Sequence, residues 1–131
     1  MLRDLLKSNV YVKIYKNKFV VKNIEKNIEV VVIAANPFTS TRLLVGDFNN
    51  AEKLLKEILK KLYAGHWLAP SPCIVMHPME MVEGGLSSVE ERVLMELAIG
   101  AGGRKVIVWV GKELSNEEVI EKSKMHNKAV K

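Results

Sequence analysis

Cysteine is almost missing from this 131-residue sequence, which limits both redox chemistry and metal binding. Cys73 is the single cysteine, so an internal disulfide and a thiolate-rich metal site are excluded. The three histidines, His66, His77 and His126, do not stand at a spacing typical of metal ligands. We therefore expect no metal and no cofactor, and we expect Cys73 to be a small buried hydrophobic residue.

Long hydrophobic runs are missing as well. No apolar run approaches the roughly 18 residues that span a bilayer, and residues 1–7 are not followed by the apolar core of a signal peptide. We therefore expect a cytoplasmic protein. Residues 1–7 place Met1, Leu2, Leu5 and Leu6 on one helical face. That face suits either packing on the domain or contact with the inner face of the cell membrane.

Acidic residues are outnumbered by basic ones, and the formal net charge is +5 with a sequence pI near 9.3. Such a balance hints at an acidic partner, although a lysine-rich, solvated helix face gives the same total. Hydrophobic residues make up 48% of the chain, which excludes intrinsic disorder. The length indicates one domain spanning residues 1–131, large enough for a core.

The first third of the chain predicts three β-strands joined by short turns. Runs rich in β-branched and aromatic residues occupy about residues 10–15, 18–24 and 27–34. In the first run, apolar residues alternate with Tyr11 and Lys13, which predicts that one face of this strand is buried.

An amphipathic helix is predicted next. Its apolar stripe consists of Ala51, Leu54, Leu55, Ile58, Leu59 and Leu62. Asp47 or Asn49 suits the N-cap position. Lys53, Lys56 and Lys60 lie mostly off the stripe, so they form a basic, solvated face.

The second half predicts a strand, a helix, a strand and a final helix. The apolar run from Cys73 to Met76 stands between prolines and is too short for a helix. The next helix begins at Ser87 or Ser88 and has a stripe of Val89, Val93, Leu94, Leu97 and Ala101. Glycines then end it, and the run at residues 105–110 predicts a strand covered on both faces. A helix capped by Ser115 follows, so the element order is β-β-β-α-β-α-β-α in an α/β domain.

Three stretches carry a family resemblance. They are RLLVGDFNNAEKLLKEILKKL, LAPSPCIVMHP and SSVEERVLMELAIGAGGRKVIVW. Their order resembles that of MreB, the rod shape-determining member of the actin and heat-shock-chaperone ATPase superfamily. The likeness covers about residues 42–110 and only the first inner subdomain of that family. It implies a ribonuclease-H-like fold with a mixed five-stranded sheet.

The chain departs from this family at the ATP site. The family's D-x-G-T phosphate loop lies between the first two strands, where this chain has Tyr15, Lys16, Asn17 and Lys18, with neither glycine nor aspartate. The D-x-G-G-G-T loop has no counterpart in the 131 residues. Glu90 matches the V-E-R-R glutamate, which in the family positions the attacking water. One carboxylate without phosphate-binding amides and a metal cannot support phosphoryl transfer, so we expect no enzyme activity.

The leading hypothesis is a non-catalytic, MreB-like interaction module related to bacterial cell shape or the cytoskeleton. Its partner is expected to be a second copy or a full-length MreB-type filament protein. The candidate contact residues are Lys53, Lys56, Lys60 and Glu90. A nucleic-acid partner is a further alternative, although no aromatic residue is interleaved with these lysines.

A second hypothesis is a small enzyme or ligand-binding domain. It would use His77, Glu80 and Glu83, which follow the fourth strand at the sheet edge where α/β proteins place their sites. The simpler interpretation of His77 is a loop histidine. A two-metal nuclease is excluded because the first strand, residues 10–15, carries no acidic residue.

Overall fold

The computed structural model describes residues 8–63 and 71–125, which fold around a five-stranded sheet. Its elements, in chain order, are β1 (Asn9–Tyr15), β2 (Lys18–Asn23), β3 (Ile28–Ile33), α1 (Phe48–Leu62), β4 (Cys73–Pro78), α2 (Ser88–Gly100), β5 (Lys105–Val108) and α3 (Asn116–Ser123). The strands lie in the spatial order β3-β2-β1-β4-β5. β1, β2 and β3 are antiparallel neighbours, whereas β4 runs parallel to both β1 and β5. The predicted α/β class with a mixed five-stranded sheet is confirmed, and the arrangement is consistent with an actin- or ribonuclease-H-like fold.

Two asparagines shape the hairpins of the antiparallel half. Asn17 lies in the two-residue turn between β1 and β2, and Asn27 directly precedes β3. Their φ angles are 53° and 54°, in the left-handed region that asparagine tolerates better than most residues. The turns therefore follow from local sequence.

The first face of the sheet is covered by α1 and α2. The apolar stripe of α1 packs there through Leu55, and α2 contributes Leu97, both fully buried. Phe19 stacks on Phe38 with 4.7 Å between ring centroids. Asp47 caps α1 by accepting a hydrogen bond from the Asn50 amide at 2.9 Å. Asp47 is one of the two residues predicted for this N-cap position. This face holds the larger part of the hydrophobic core.

The second face of the sheet is covered by α3 and the segment that precedes it. Tyr11 and Val75 pack there against Leu114 and Val119. The prediction of a single buried face for β1 was therefore wrong. β1 is the middle strand of the sheet, so α3 buries its second face as well and leaves Lys13 only 8% exposed.

Two boundary predictions also need correction. The spacing predicts Val89 in the buried stripe of α2, but Val89 lies in the first turn of the helix and is 70% exposed. The last strand ends at Val108 and not at residue 110. The chain turns there: the indole of Trp109 donates to the carbonyl of Lys112 at 2.9 Å.

Within residues 8–63 and 71–125, no helix combines the length and apolar character needed to cross a membrane. The hypothesis of membrane contact concerns residues 1–7, which lie outside the described residues.

Candidate functional site

The predicted basic face of α1 lines an open groove, which we call the lysine groove. One wall is formed by Lys53, Lys56 and Lys60, and the other by Ser71 with the segment 100–102 that follows α2. All three lysines are exposed. Lys56 makes an exposed ion pair with Glu52, at 3.9 Å, which contributes little to stability. Glu57 also lines the groove, so the groove is basic overall but contains one carboxylate of its own.

Gly100 allows α1 and α2 to approach closely beside this groove. A Cβ atom at Gly100 would overlap with the carboxylate of Glu52 on α1. The last turn of α2 therefore lies directly beside the flexible Glu52 side chain of α1, next to the second wall of the groove.

Glu90 lies away from the lysine groove. It occupies the first turn of α2, about 15 Å along the helix axis from Gly100 at 1.5 Å per residue. Its carboxylate accepts the Ser87 amide at 2.9 Å, and its own amide donates to Ser87 Oγ at 3.2 Å. This reciprocal capping box gives Glu90 a structural role at the start of α2. The four predicted contact residues therefore belong to two separate surfaces.

An apolar pocket lies beside Glu90, at the end of β4. Leu43 and Val45 line it from the loop before α1, Met81 and Leu86 from the loop after β4, and Val93 from α2. The carboxylates of Glu80 and Glu90 are the charged groups of its lining. The pocket suits an apolar group and carries no basic side chain among its lining residues.

The turn between β1 and β2 is occupied by the protein's own acceptors. The Lys16 amide donates to the Glu80 carboxylate at 2.7 Å, and the Asn17 amide donates to Thr39 Oγ1 at 2.9 Å. Asn17 Oδ1 in turn accepts the amides of Phe38 and Thr39, both at 2.8 Å. These amides are thus satisfied internally, and a carboxylate stands where an anion would approach.

His77 belongs to β4 and is 1% exposed, so the prediction of a loop histidine was wrong. Its Nδ1 lies 2.6 Å from the Tyr11 hydroxyl and its Nε2 lies 2.9 Å from the carbonyl of Gly111. The Tyr11 hydroxyl also accepts the Leu114 amide at 3.0 Å. These partners are satisfied together by a neutral imidazole that donates from Nε2 and accepts at Nδ1.

Burial determines the ionisation of this network. Desolvation lowers the pKa of His77, although the hydrogen bond to Gly111 and the nearby Glu113 act in the opposite direction. Burial raises the pKa of Tyr11 to about 12. His77 is therefore neutral at neutral pH and joins β4 to the segment before α3, which is a structural task.

Lys13 and Glu113 form an ion pair near this network. Lys13 Nζ lies 2.9 Å from Glu113 and 4.0 Å from Glu29. Burial alone would lower the pKa of Lys13, but the hydrogen bond and charge of Glu113 outweigh it, so the pKa is raised. The same hydrogen bond lowers the pKa of Glu113. Both groups are therefore charged at neutral pH.

Metal-binding and thiol chemistry find no support among the described residues. No group of three or more histidine, cysteine or carboxylate side chains is placed to hold a metal ion within them. Cys73 is buried, as predicted, and desolvation raises the pKa of its thiol. A buried thiol of this kind is a poor nucleophile.

Comparison with known proteins identifies a family to which the chain belongs. No family model matches the sequence. The uncharacterized protein YjaA of Escherichia coli K12 is 39% identical over 99 residues, which cover 72% of this chain and 76% of YjaA. The chain belongs to the YjaA family.

MreB proteins match a shorter part of this YjaA-family chain. The cell shape-determining protein MreB of Haemophilus influenzae is 36% identical over 63 residues, and MreB of Escherichia coli K12 is 32% identical over 65 residues. These matches cover 48% and 50% of the chain but only 17% and 18% of the MreB proteins. The partial MreB-like resemblance is therefore confirmed, and the chain spans about a sixth of MreB along it.

The residues proposed for a ligand site lie in different environments in this YjaA-family chain. His77 is enclosed on the second face of the sheet, whereas Glu80 binds the turn amide of Lys16 and lines the apolar pocket. Glu83 is exposed and is not part of that lining.

Sequence reasoning missed Tyr11, Lys13 and Glu113. The available signal was a lysine inside an otherwise apolar strand. Once that strand is known to be central, Lys13 requires an acidic partner, because a buried charge is costly unless it is paired.

Proposed function

We propose that this YjaA-family chain is a non-catalytic, MreB-related interaction module whose lysine groove binds an acidic surface of a cell-shape filament protein. The proposal starts from the MreB likeness of half the chain and extends it to binding of an MreB filament. Its setting would be the cytoplasm, at or near the inner face of the cell membrane.

The observation that supports a non-catalytic role is the internally bonded turn between β1 and β2. A nucleotide site needs free amides directed at the phosphates. In this turn the amides of Lys16 and Asn17 donate to Glu80 and Thr39. Binding a phosphate there would require breaking both bonds and placing the anion beside the Glu80 carboxylate. This arrangement supports a protein that does not use ATP, and Mg-ATP should alter neither its melting temperature nor phosphate release.

The lysine groove supports a protein partner because it is open, basic and built on a rigid element. Lys53, Lys56 and Lys60 lie on one side of the groove, and the segment 100–102 after α2 forms the opposite wall. Charged residues on a helix steer association with an oppositely charged surface and set its rate. A protruding acidic segment of a filament surface would fit such a groove.

Co-sedimentation with polymerised MreB of Escherichia coli tests this proposal. The native chain should pellet with the filaments, and the variant Lys53→Glu/Lys56→Glu/Lys60→Glu should stay in the supernatant. A matched control, Lys16→Glu/Lys61→Glu/Lys124→Glu, makes the same change in net charge at exposed lysines outside the groove. This control should pellet like the native chain.

The controls separate a specific contact from general charge attraction. If both triple variants lose binding equally, the attraction is nonspecific and the groove has no special role. If the native chain fails to pellet at low salt with MreB that is visibly polymerised, the proposed partner is wrong. A fluorescent single-stranded DNA that binds the native chain, and is lost steeply with salt, would instead favour the nucleic-acid alternative.

A second candidate function is ligand binding in the apolar pocket beside α2. The observation favouring it is a concave, largely apolar lining at the carboxyl end of β4, where α/β sheets commonly bind ligands. A ligand that binds only the folded state raises the melting temperature. A metabolite panel should therefore shift the native chain and leave Val93→Asp unshifted, whereas no shift from any compound would count against this candidate.

A further inference from the structure

We propose that the free edge of β3 is a docking surface for β3 of a second copy of this chain, paired antiparallel about Val31. β3 (Ile28–Ile33) is an outer strand, and the described part of the chain places no strand beyond it. The interface would lie on a different surface from the lysine groove, so it does not depend on the proposed function.

The main chain of β3 presents a regular row of hydrogen-bonding groups at this edge. Ala34 donates to the carbonyl of Asn17 at 2.8 Å. Bonded and non-bonded pairs alternate along an antiparallel ladder, so Val30 and Val32 bond to β2, while Glu29, Val31 and Ile33 direct their main-chain groups outward. Such a row fits another extended strand.

β3 has few of the features that normally protect an exposed edge, since Glu29 is its one charged residue. Outer strands are usually short, bulged, or broken by lysine or proline. β3 pairs regularly with β2 over six residues without a bulge, and the segment Ile28–Ile33 contains neither lysine nor proline. β5, the other outer strand, is only four residues long and begins with Lys105. The edge of β5 is therefore better protected against pairing with another strand than the edge of β3.

The side chains of β3 are unusually apolar for their exposure. Val31 and Ile33 are 58% and 72% exposed, and they lie on the second face of the sheet, opposite the helices α1 and α2. Val31 is the cross-strand neighbour of Val20. Pairing two copies about Val31 would create one row of four valines, two from each copy, and would cover the exposed side of Val31.

Charge complementarity fits the antiparallel arrangement in this register, in which Glu29 adds a contact to those with Lys13, at 4.0 Å, and with its cross-strand neighbour Lys22. In this pairing Glu29 of one copy stands opposite Ile33 of the other, and Lys18 is the cross-strand neighbour of that Ile33. The Glu29 carboxylate and the Lys18 ammonium of the second copy then lie on the same face, two strands apart. They meet if Lys18 Nζ moves from the Tyr15 ring, whose centroid is 4.4 Å away, towards Glu29. A two-fold axis makes this contact twice. Direct like-charge opposition is avoided, because the two Glu29 residues lie at opposite ends of the interface.

Sedimentation velocity across a concentration series tests this proposal. Edge pairing of six residues is a small interface, so we expect a weak, reversible monomer–dimer equilibrium. Val31→Lys places two ammonium groups directly opposite each other and should raise the dissociation constant at least about tenfold. Val89→Lys is the matched control, since Val89 is a similarly exposed valine in a different part of the molecule. It should leave the equilibrium unchanged.

A charge exchange tests the register. Glu29→Lys alone should weaken the dimer, and Glu29→Lys with Lys18→Glu should restore it, with melting temperatures confirming that each variant folds. If a variant does not fold, amide hydrogen exchange of the native chain replaces it. The amides of Val31 and Ile33 should exchange more slowly at high protein concentration than at low.

Three results would overturn the proposal. They are a native chain that stays monomeric up to the highest soluble concentration, a dimer that survives Val31→Lys, and amides of β3 whose exchange does not depend on concentration. Failure of the charge exchange to restore association would rule out the register about Val31. Binding to MreB should persist in Val31→Lys, and dimerisation should persist in the lysine-groove variant, so the two proposals can fail separately.

Discussion

The two faces of the sheet are built in different ways. The first face is apolar and lies under two helices, α1 and α2, whose stripes interlock with the side chains of all five strands. The second face is covered by the eight-residue helix α3 and contains the hydrogen-bonded Tyr11 and His77 together with the ion-paired Lys13. Beyond α3, on the same face, Val31 and Ile33 are exposed.

This difference indicates that the first face mainly stabilises the fold, whereas the second face leaves a surface for interaction. The first face supplies burial of apolar area, which is the dominant favourable contribution to folding. The second face depends on satisfied polar groups, which contribute less but are costly to disturb. Its uncovered part provides the apolar edge on which we place the contact between copies. The lysine groove lies outside both cores, on the exposed side of α1.

Removing apolar volume from the first face should produce the largest loss of stability. Leu55 is fully buried between α1 and the sheet. Leu55→Ala should lower the free energy of unfolding by about 2–5 kcal/mol, because it removes buried methyl groups and leaves a cavity. Urea denaturation followed by circular dichroism measures the change.

A comparison uses a partly exposed residue on the helix of the other face. Ile120 of α3 is 37% exposed, and Ile120→Ala should cost well under half as much as Leu55→Ala. Equal losses at the two positions would contradict the explanation that burial of Leu55 causes its larger effect.

Removing one hydroxyl from the second face should cost less than the cavity in the first. Tyr11→Phe leaves two buried groups without their partner, the Nδ1 of His77 and the amide of Leu114. Leaving such groups unsatisfied costs about 1–3 kcal/mol in the free energy of unfolding. The same urea experiment measures it, and Tyr15→Phe is the control, because Tyr15 is a partly exposed tyrosine at the end of the same strand. A loss for Tyr15→Phe as large as for Tyr11→Phe would show that the network is not the cause.

The first face was largely predictable from sequence, because helical and strand periodicities record directly which side chains are buried. The stripe of α1, the cap at Asp47 and the capping box of Ser87 with Glu90 follow from local spacing. The MreB likeness supplied the expected fold, which local spacing alone would not have named. The spacing misplaces Val89, because periodicity alone does not show which turns of a helix are covered.

The second face was not predictable, since its polar contacts join residues far apart in the chain. Tyr11, His77 and Leu114 meet only when β1, β4 and the segment before α3 are brought together. The alternation along β1 suggested an exposed face for Lys13, and only the central position of β1 corrects this. The predicted contact residues separate for the same reason. Glu90 lies at the start of α2 and the lysine groove lies beside its end, and no local sequence pattern shows this distance.

The smallest of the predicted effects is a pH dependence specific to the second face. The pKa of His77 is lowered by burial, so the unfolded chain binds a proton more readily than the folded one. The stability due to neutral His77 is fully present above the unfolded pKa of about 6.5 and is lost as the pH falls towards the lower, folded pKa. The slope for one proton is bounded at about 1.4 kcal/mol per pH unit.

Comparing the native chain with His77→Gln isolates this slope. The groups facing His77 are Tyr11, Lys13 and Glu113, which keep their charge states between pH 7.5 and 5.5. The native chain should lose more stability than His77→Gln over this interval in urea denaturation, since glutamine does not titrate. Equal slopes would mean that the imidazole takes up its proton without disturbing its bonds to Tyr11 and Gly111. The second face would then tolerate charge as well as the solvated surface does, and burial would no longer explain why its polar groups are all paired.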